Sequence, residues 1–314
     1  MSGGGTEATT GGAEAAGIAA KVSLAVAAKA SAENFPVALK ILPARWREHL
    51  SAVYGFARLT DDLGDEPLPG LDAVPPGSPG ATPEDVYTAT RLRLLDELAA
   101  DVARLYAGET PELDIVAALK PTVEECRIPQ GLLDDLIAAN RQDQTVTRYQ
   151  SYDDLVKYCE LSANPVGRIV LCIVGAATED RLRLSDNICT ALQLAEHWQD
   201  VAEDLGNGRV YLPADDLKAF GVTEDALARP TADDAVRRLM AFETKRAADL
   251  LDQGAPLAGT LKGAARLAIS GYIAGGRAAL KAIVNADYDV LAQTPKPSKA
   301  ATLTGLVSCY VIGR

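Results

Sequence analysis

The chain has 314 residues, with 31 Lys or Arg against 43 Asp or Glu and a net charge of −12. That length suffices for one large domain or two ordinary ones. The acidic balance argues against a general nucleic-acid binder, whose affinity rests on basic side chains neutralising phosphates. Any anionic substrate must therefore be met by local Arg or Lys, or by bridging metal ions.

Residues 1–20 lack the basic start and apolar core of a signal peptide and read as a flexible tail. A domain is expected over 21–299, followed by a short apolar tail over 300–314. Helical periodicity runs almost throughout, with abundant Ala and Leu, both strong helix formers. KVSLAVAAKASAENF is a first helical stretch. Pro43 then opens a long helix, ARWREHLSAVYGFARLTDDLGDE, in a position where proline is tolerated. Residues 67–83 are rich in Pro and Gly and read as a long loop, either mobile or a lid.

Further helices are predicted over Glu84–Tyr106, Pro111–Arg127 and Pro129–Arg141. Ser151 and Asp154 make a capping-box start for SYDDLVKYCELSA, and Pro165 then kinks or restarts the helix. Later helices are predicted over Asp186–Leu205, Ala232–Gln253, Thr260–Ile273 and Gly275–Gln293. No repeat supports a solenoid, and no run of 18 apolar residues predicts a membrane span. The expected architecture is an all-α, single-domain helical bundle with a central cavity.

The five cysteines, Cys126, Cys159, Cys172, Cys189 and Cys309, are odd in number, widely spaced and form no CxxC pair. No disulfide framework or zinc ribbon is expected, and a reducing cytoplasm fits best. The two histidines, His49 and His197, are expected to be satisfied or surface rings.

Two acidic motifs carry the chemistry. In AEHWQDVAEDLGNGRVYLP, Glu196, Asp200 and Asp204 are four residues apart, so on a helix each acid sits about 40° round from the last. Like charges so placed repel by a few tenths of a kcal/mol per pair. The stripe is either a solvated acidic face or a set of acids around a cation. In ARLTDDLGDE, Asp61 and Asp65 repeat the spacing, Asp62 and Glu66 repeat it one residue on, and Arg58 lies nearly one turn before Asp61. If the two helices face each other, four carboxylates surround one space. Mg²⁺ suits such a site, because it takes oxygen ligands, keeps several waters and bridges carboxylates to substrate phosphates. No EF-hand loop competes for this reading.

Five blocks, in order, resemble the squalene/phytoene synthase family: ENFPVALKILP, YGFARLTDDLGDE, RQDQTVTRY with YCELSANPVGR, QLAEHWQDVAEDLGNGRVYLP, and DYDVLAQTPKPSK. They span about Ser31 to Lys299. ENFPVA, SANPVGR and HWQDVAEDLGNGRVYLP are most similar to the hydroxysqualene synthase branch of bacterial squalene and hopanoid pathways. The resemblance implies an isoprenoid-synthase fold with two facing aspartate motifs at the mouth of an apolar cavity. It implies a first Mg²⁺ cluster at Asp61 and Asp65 and a second at Asp200 and Asp204, with Glu196 standing where relatives commonly carry a ligating Asn.

By the same resemblance, Arg58, Arg209 and Tyr211 reach the diphosphate or order the metal shell, and Tyr54 matches a site tyrosine. Tyr158 matches a proposed acid or base, or is packing with a satisfied hydroxyl. Arg168 either contacts diphosphate or pairs with an acid. Asn34 and Asn164 either orient a water or cap and turn the chain.

The implied reaction is conversion of presqualene diphosphate to hydroxysqualene with release of diphosphate. Condensation of two farnesyl diphosphates is the rival within enzymes, and a noncatalytic isoprenoid-binding or assembly protein is the rival outside them. The implied partner is an isoprenoid diphosphate, with no nucleic acid. The chain is expected to be cytoplasmic, with a peripheral membrane contact allowed by the apolar C-terminal tail. Oligomeric state is not legible.

Overall fold

A computed structural model describes residues 42–65, 82–297, 305–306 and 308–311. The described residues are helical with no strand; one isolated parallel bridge joins Arg148 and Val210. They divide into two compact units, Ala44–Thr145 and Val146 onward.

The first unit holds α1 (Ala44–Asp65), α2 (Pro83–Ala107), α3 (Asp114–Ala117), α4 (Lys120–Cys126) and α5 (Gln130–Asp143). Helix α1 starts just after Pro43, where the missing proline N–H costs nothing. Its inward stripe, Phe56, Leu59 and Leu63, is fully buried and packs against α2 and α5. Thr82 and Asp85 form a reciprocal capping box on α2, and Gly108 ends it with φ 78°, a left-handed cap that glycine adopts without a Cβ clash. The single helix expected over Pro111–Arg127 is instead two short ones, α3 and α4. Pro121 falls in the first turn of α4, so it begins a helix instead of continuing one.

The second unit holds α6 (Tyr152–Ser162), α7 (Asn164–Ile173), α8 (Glu179–Gln199), α9 (Val201–Gly206), α10 (Ala214–Phe220), α11 (Glu224–Leu227), α12 (Asp234–Gly254), α13 (Leu257–Thr260) and α14 (Gly263–Asn285). Ser151 caps α6 through the predicted box with Asp154, and Pro165 restarts the chain as α7. Helix α8 is central and packs on α7, α12 and α14. Its most extensive partner is α12, and Gly254 permits that approach: a Cβ there would lie 2.7 Å from the Leu184 carbonyl oxygen.

Other boundaries also differ from expectation. The run Gly275–Gly276 does not break the chain; α14 is continuous through it. Gly276 is there because a Cβ would meet Leu192 at 2.5 Å, so the glycine serves close packing and not a turn. The helix expected over Asp186–Leu205 begins earlier, at Glu179, and is interrupted at Asp200, whose φ −105° and ψ 18° are non-helical. The hydrogen-bond ladder still runs through the kink, with Asp200 N–H on the Glu196 carbonyl at 3.0 Å and Asp204 N–H on the Asp200 carbonyl at 2.8 Å.

Helix α14 is long and apolar enough to cross a membrane by length and composition alone. Ile269, Ile273, Leu280 and Ile283 on one face of it are buried in this unit, as the core helix of a globular fold would be.

Candidate active site

The first acidic motif closes α1 in the first unit. Asp61 is exposed, and its Oδ1 accepts a hydrogen bond from the Asn140 amide at 3.2 Å. Asp62 is 4% exposed, and Arg58 pairs with it at 2.7 Å. The one-residue rotation between the two acid pairs thus has a structural meaning: Asp61 looks outward, while Asp62 anchors Arg58. Asp65 is the last residue of α1. Helix α5 holds this end in place, because Asn140 also donates to the Leu136 carbonyl and Gln144 donates to the Gly64 carbonyl at 3.0 Å. A Cβ on Gly64 would lie 2.4 Å from Asn140 Oδ1. Asn140, Gln144 and Gly64 carry no motif signature in sequence. Tyr54, one turn before Arg58, is half-buried.

The second motif lies in the second unit at the α8–α9 kink. Glu196, Asp200 and Glu203 line a polar cleft of about 460 Å³ together with Thr294 and Lys296. An apolar cavity of about 230 Å³ adjoins it, walled by α7, α8 and α14 through residues such as Val166, Ile188 and Ile269. Leu192 and Glu196 line both spaces. Lys296 was not anticipated individually, although it lies in the last of the five sequence blocks.

The carboxylates of this motif disfavour their own charge. Burial, then neighbouring Asp200, then Glu203 and Glu196 push Asp204 up to about 7, against a partial offset from Arg209. Burial and then Glu203 raise Asp200, offset by a hydrogen bond from Thr294 and by Lys296. Glu196 reaches solvent but is flanked by cavity wall, so desolvation first and Asp200 second raise it. Arg209 and Lys296 offset only part of this negative charge. Among the described residues no three His, Cys, Asp or Glu side chains converge to hold a metal by themselves. Hard carboxylate oxygens facing an open cleft nevertheless fit Mg²⁺, which takes one or two protein carboxylates and completes its shell with water and substrate phosphate.

Two sequence blocks meet beside the kink. Val210 N–H donates to the Thr147 carbonyl at 2.9 Å, and Ala214 N–H donates to the Tyr149 carbonyl at 2.9 Å. Gly208, with φ 78°, turns the chain into this pairing, and Arg148 locks it by donating to the Gly208 carbonyl and to Glu224. The pairing stacks Tyr211 against Tyr149 with ring centroids 5.8 Å apart, and Tyr158 packs beside both. His197 completes the group, stacked on Tyr211 at 3.7 Å. All four rings are buried. Burial, then Arg209, lowers the His197 imidazole to about 3, so it is neutral.

The other expected site residues have local partners. Arg168 makes a bidentate pair with Asp186 at 2.8 and 2.7 Å. Asn164 is buried and accepts from the Thr190 hydroxyl at 2.9 Å. Arg209 is half-buried, and its backbone N–H donates to the Asp204 carbonyl. Asn34 lies outside the described residues. His49 is the satisfied histidine expected, bonded to Thr122 at 2.9 Å.

An acid-lined cleft thus opens beside an apolar cavity within one helical unit. The squalene/phytoene synthase family profile matches residues 28–301. The chain belongs to the squalene/phytoene synthase family, and its all-α architecture is the isoprenoid-synthase fold. It is 35% identical over 232 residues to the hydroxysqualene synthase of Rhodopseudomonas palustris, covering 73% of this chain and 72% of that protein. It is 29% identical over 229 residues to the phytoene synthase of Mycobacterium bovis, covering 72% and 69%. Among solved structures, the squalene synthase HpnC of Alicyclobacillus acidocaldarius matches with a TM-score of 0.70 and 38% identity, over 81% of this chain and 89% of that one.

Proposed function

We propose that this chain converts presqualene diphosphate and water to hydroxysqualene and diphosphate. The observation that supports it best is the shared wall of the two spaces: Leu192 and Glu196 stand between a polar, acid-lined cleft and an apolar cavity. A substrate with an anionic head and a long hydrocarbon body is bound across such a boundary, head in the cleft and chain in the cavity.

Glu196, Asp200 and Asp204 would hold Mg²⁺. Bound there, the metal supplies charge neutralisation for departing diphosphate. Lys296 on the cleft wall, together with Arg209, meets the remaining phosphate charge. The buried Tyr149, Tyr158 and Tyr211 form a packed aromatic group beside the kink. The apolar wall excludes bulk water and so protects a cation from early capture. Arg168 is committed to Asp186, and in this reading it supports the α7–α8 packing. Val166 and Tyr272, both substantially exposed at the cavity, favour delivery of the substrate from a membrane surface.

The deciding experiment incubates purified protein with presqualene diphosphate and Mg²⁺ without a reductant and identifies the product. Hydroxysqualene carrying oxygen from labelled water is the expected result. The phytoene synthase relatives favour one rival, head-to-head condensation. Consumption of farnesyl diphosphate with presqualene diphosphate left untouched would establish that rival instead.

A further inference from the structure

The wall of the apolar cavity contains two polar groups whose role is not set by the acidic motifs. The Ser162 hydroxyl, at the end of α6, is buried and has no hydrogen-bond partner among the described residues. Leaving a buried hydroxyl unpaired is costly, which is a reason to look for a bound molecule that completes it. The second group is the Gln193 amide, on α8 one turn before His197 and lining the same cavity. Its Nε2 lies 3.3 Å from His197 Nε2. His197 is itself held by its stack on Tyr211, at 3.7 Å and 12°. A glutamine side chain is ordinarily mobile; this one is tethered to a ring that has no room to turn.

We infer that Ser162 and Gln193 form a single-water subsite in the cavity, and that His197 is a positioning residue that fixes the Gln193 amide. The inference rests on the water-capture reading given above and names the groups that perform the capture.

The carbon–oxygen bond to diphosphate breaks, and both electrons leave with diphosphate. After the carbon skeleton rearranges, a lone pair of the held water forms the new carbon–oxygen bond. The resulting oxonium loses one proton to the departed diphosphate. Ser162 and Gln193 are neutral, so they orient the water without themselves trapping the cation. A hydrogen bond accepted by the Gln193 carbonyl oxygen leaves a water lone pair available to the cation, and the bond from Gln193 Nε2 to the ring nitrogen keeps that amide from flipping.

The test is product partition, measured as the fraction of hydroxysqualene among all thirty-carbon products from presqualene diphosphate with Mg²⁺. Ser162→Ala and Gln193→Met should each lower that fraction about fivefold or more, the change that about 1 kcal/mol of lost orientation produces. Olefins formed by proton loss, or misplaced alcohols, should replace it. His197→Phe keeps a ring on Tyr211 but removes the nitrogen, and it should shift the fraction in the same direction. The Gln193→Met, His197→Phe double variant should shift it no further than Gln193→Met alone, because the ring acts through the amide. A purely structural His197 would lower the melting temperature without moving the partition.

If Ser162→Ala or Gln193→Met does not fold, Ser162→Cys and Gln193→Leu provide the same comparison. An alcohol fraction within twofold of the unmodified enzyme in both the Ser162 and Gln193 variants overturns the subsite. If the unmodified enzyme makes no hydroxysqualene at all, the proposed reaction itself fails, an outcome visible before any variant is made.

Discussion

The imidazole of His197 and the phenol ring of Tyr211 lie face to face, 3.7 Å apart and inclined by 12°. His197 belongs to the last turn of α8, and Tyr211 to the extended segment beyond α9. Their stack therefore fixes the direction in which the chain leaves the Asp200 kink. It also couples the acidic motif to the strap that pairs residues 147–150 with 210–215.

Asp200→Asn and Asp204→Asn should each reduce turnover by about 100-fold or more, within the range attributed to losing one preorganised electrostatic group. The fold should persist. Because Asp200 and Asp204 repel each other in the metal-free protein, either variant should melt at or above the parent temperature in chelator, as expected when a strained functional site is relaxed. Turnover unaffected in both variants, assayed with and without chelator, would remove the metal role.

Glu196 stands one turn before Asp200 on the wall shared by cleft and cavity. Glu196→Asn should retain much of the activity, since an amide oxygen can replace a carboxylate oxygen beside a cation. Glu196→Leu should lose most of it. Steady-state rates at several Mg²⁺ concentrations separate the two, and equal rates for Asn and Leu would mark Glu196 as a surface acid.

Arg168→Met should lower stability by about 1 kcal/mol, a modest figure because the pair with Asp186 is partly exposed. Its KM for the diphosphate substrate should change less than twofold. A large KM increase with an unchanged melting temperature would instead assign Arg168 to the diphosphate.

Gly254→Ala sets two effects against each other. Alanine in a helix is favoured over glycine by about 0.5–1 kcal/mol. Here the new Cβ would meet the Leu184 carbonyl oxygen at 2.7 Å and the Ile188 backbone nitrogen at 2.9 Å, and backbone cannot move aside as a side chain can. Overpacking of this kind costs about 1–3 kcal/mol. The variant should therefore be destabilised, as chemical denaturation will show; a stabilised variant would mean that α8 and α12 can separate at no cost.

Glu243 supplies a pH dependence outside the site. It is 0% exposed, and burial first, with Asp216 adding to it and Arg246 opposing, pushes its carboxyl up to about 8. The folded protein thus holds a proton that the unfolded chain releases near the ordinary glutamate value of about 4.3. The associated stability is fully present below that value and is lost as pH rises through about 8. Melting temperature should fall between pH 6 and 9, and Glu243→Gln, neutral throughout, should flatten that slope.

What the sequence by itself determined was local. Helical periodicity, the Ser151–Asp154 box, the start after Pro43 and the restart at Pro165 are all set within a few residues, and the structure has them where the pattern puts them. The ordered motif blocks were equally legible, because the acids of each motif are neighbours in the chain, and they pointed to the family to which the chain belongs. Tertiary structure decided what depends on contacts between distant residues. Gly276 reads as a helix breaker in isolation, yet α14 runs straight through it, since the absent Cβ makes room for Leu192. Asp200 reads as the middle of a regular stripe, yet the helix kinks there. The stripe also gave no sign that Asp62 would engage Arg58 while Asp61 faced outward beside Asn140, 79 residues away. Nor could spacing reveal that Gln193, His197 and Tyr211 act as one group. The hydrogen bond is local to α8, but the ring that holds it arrives from a segment positioned by the pairing of Thr147 with Val210, and long-range backbone pairing leaves no periodic trace in sequence.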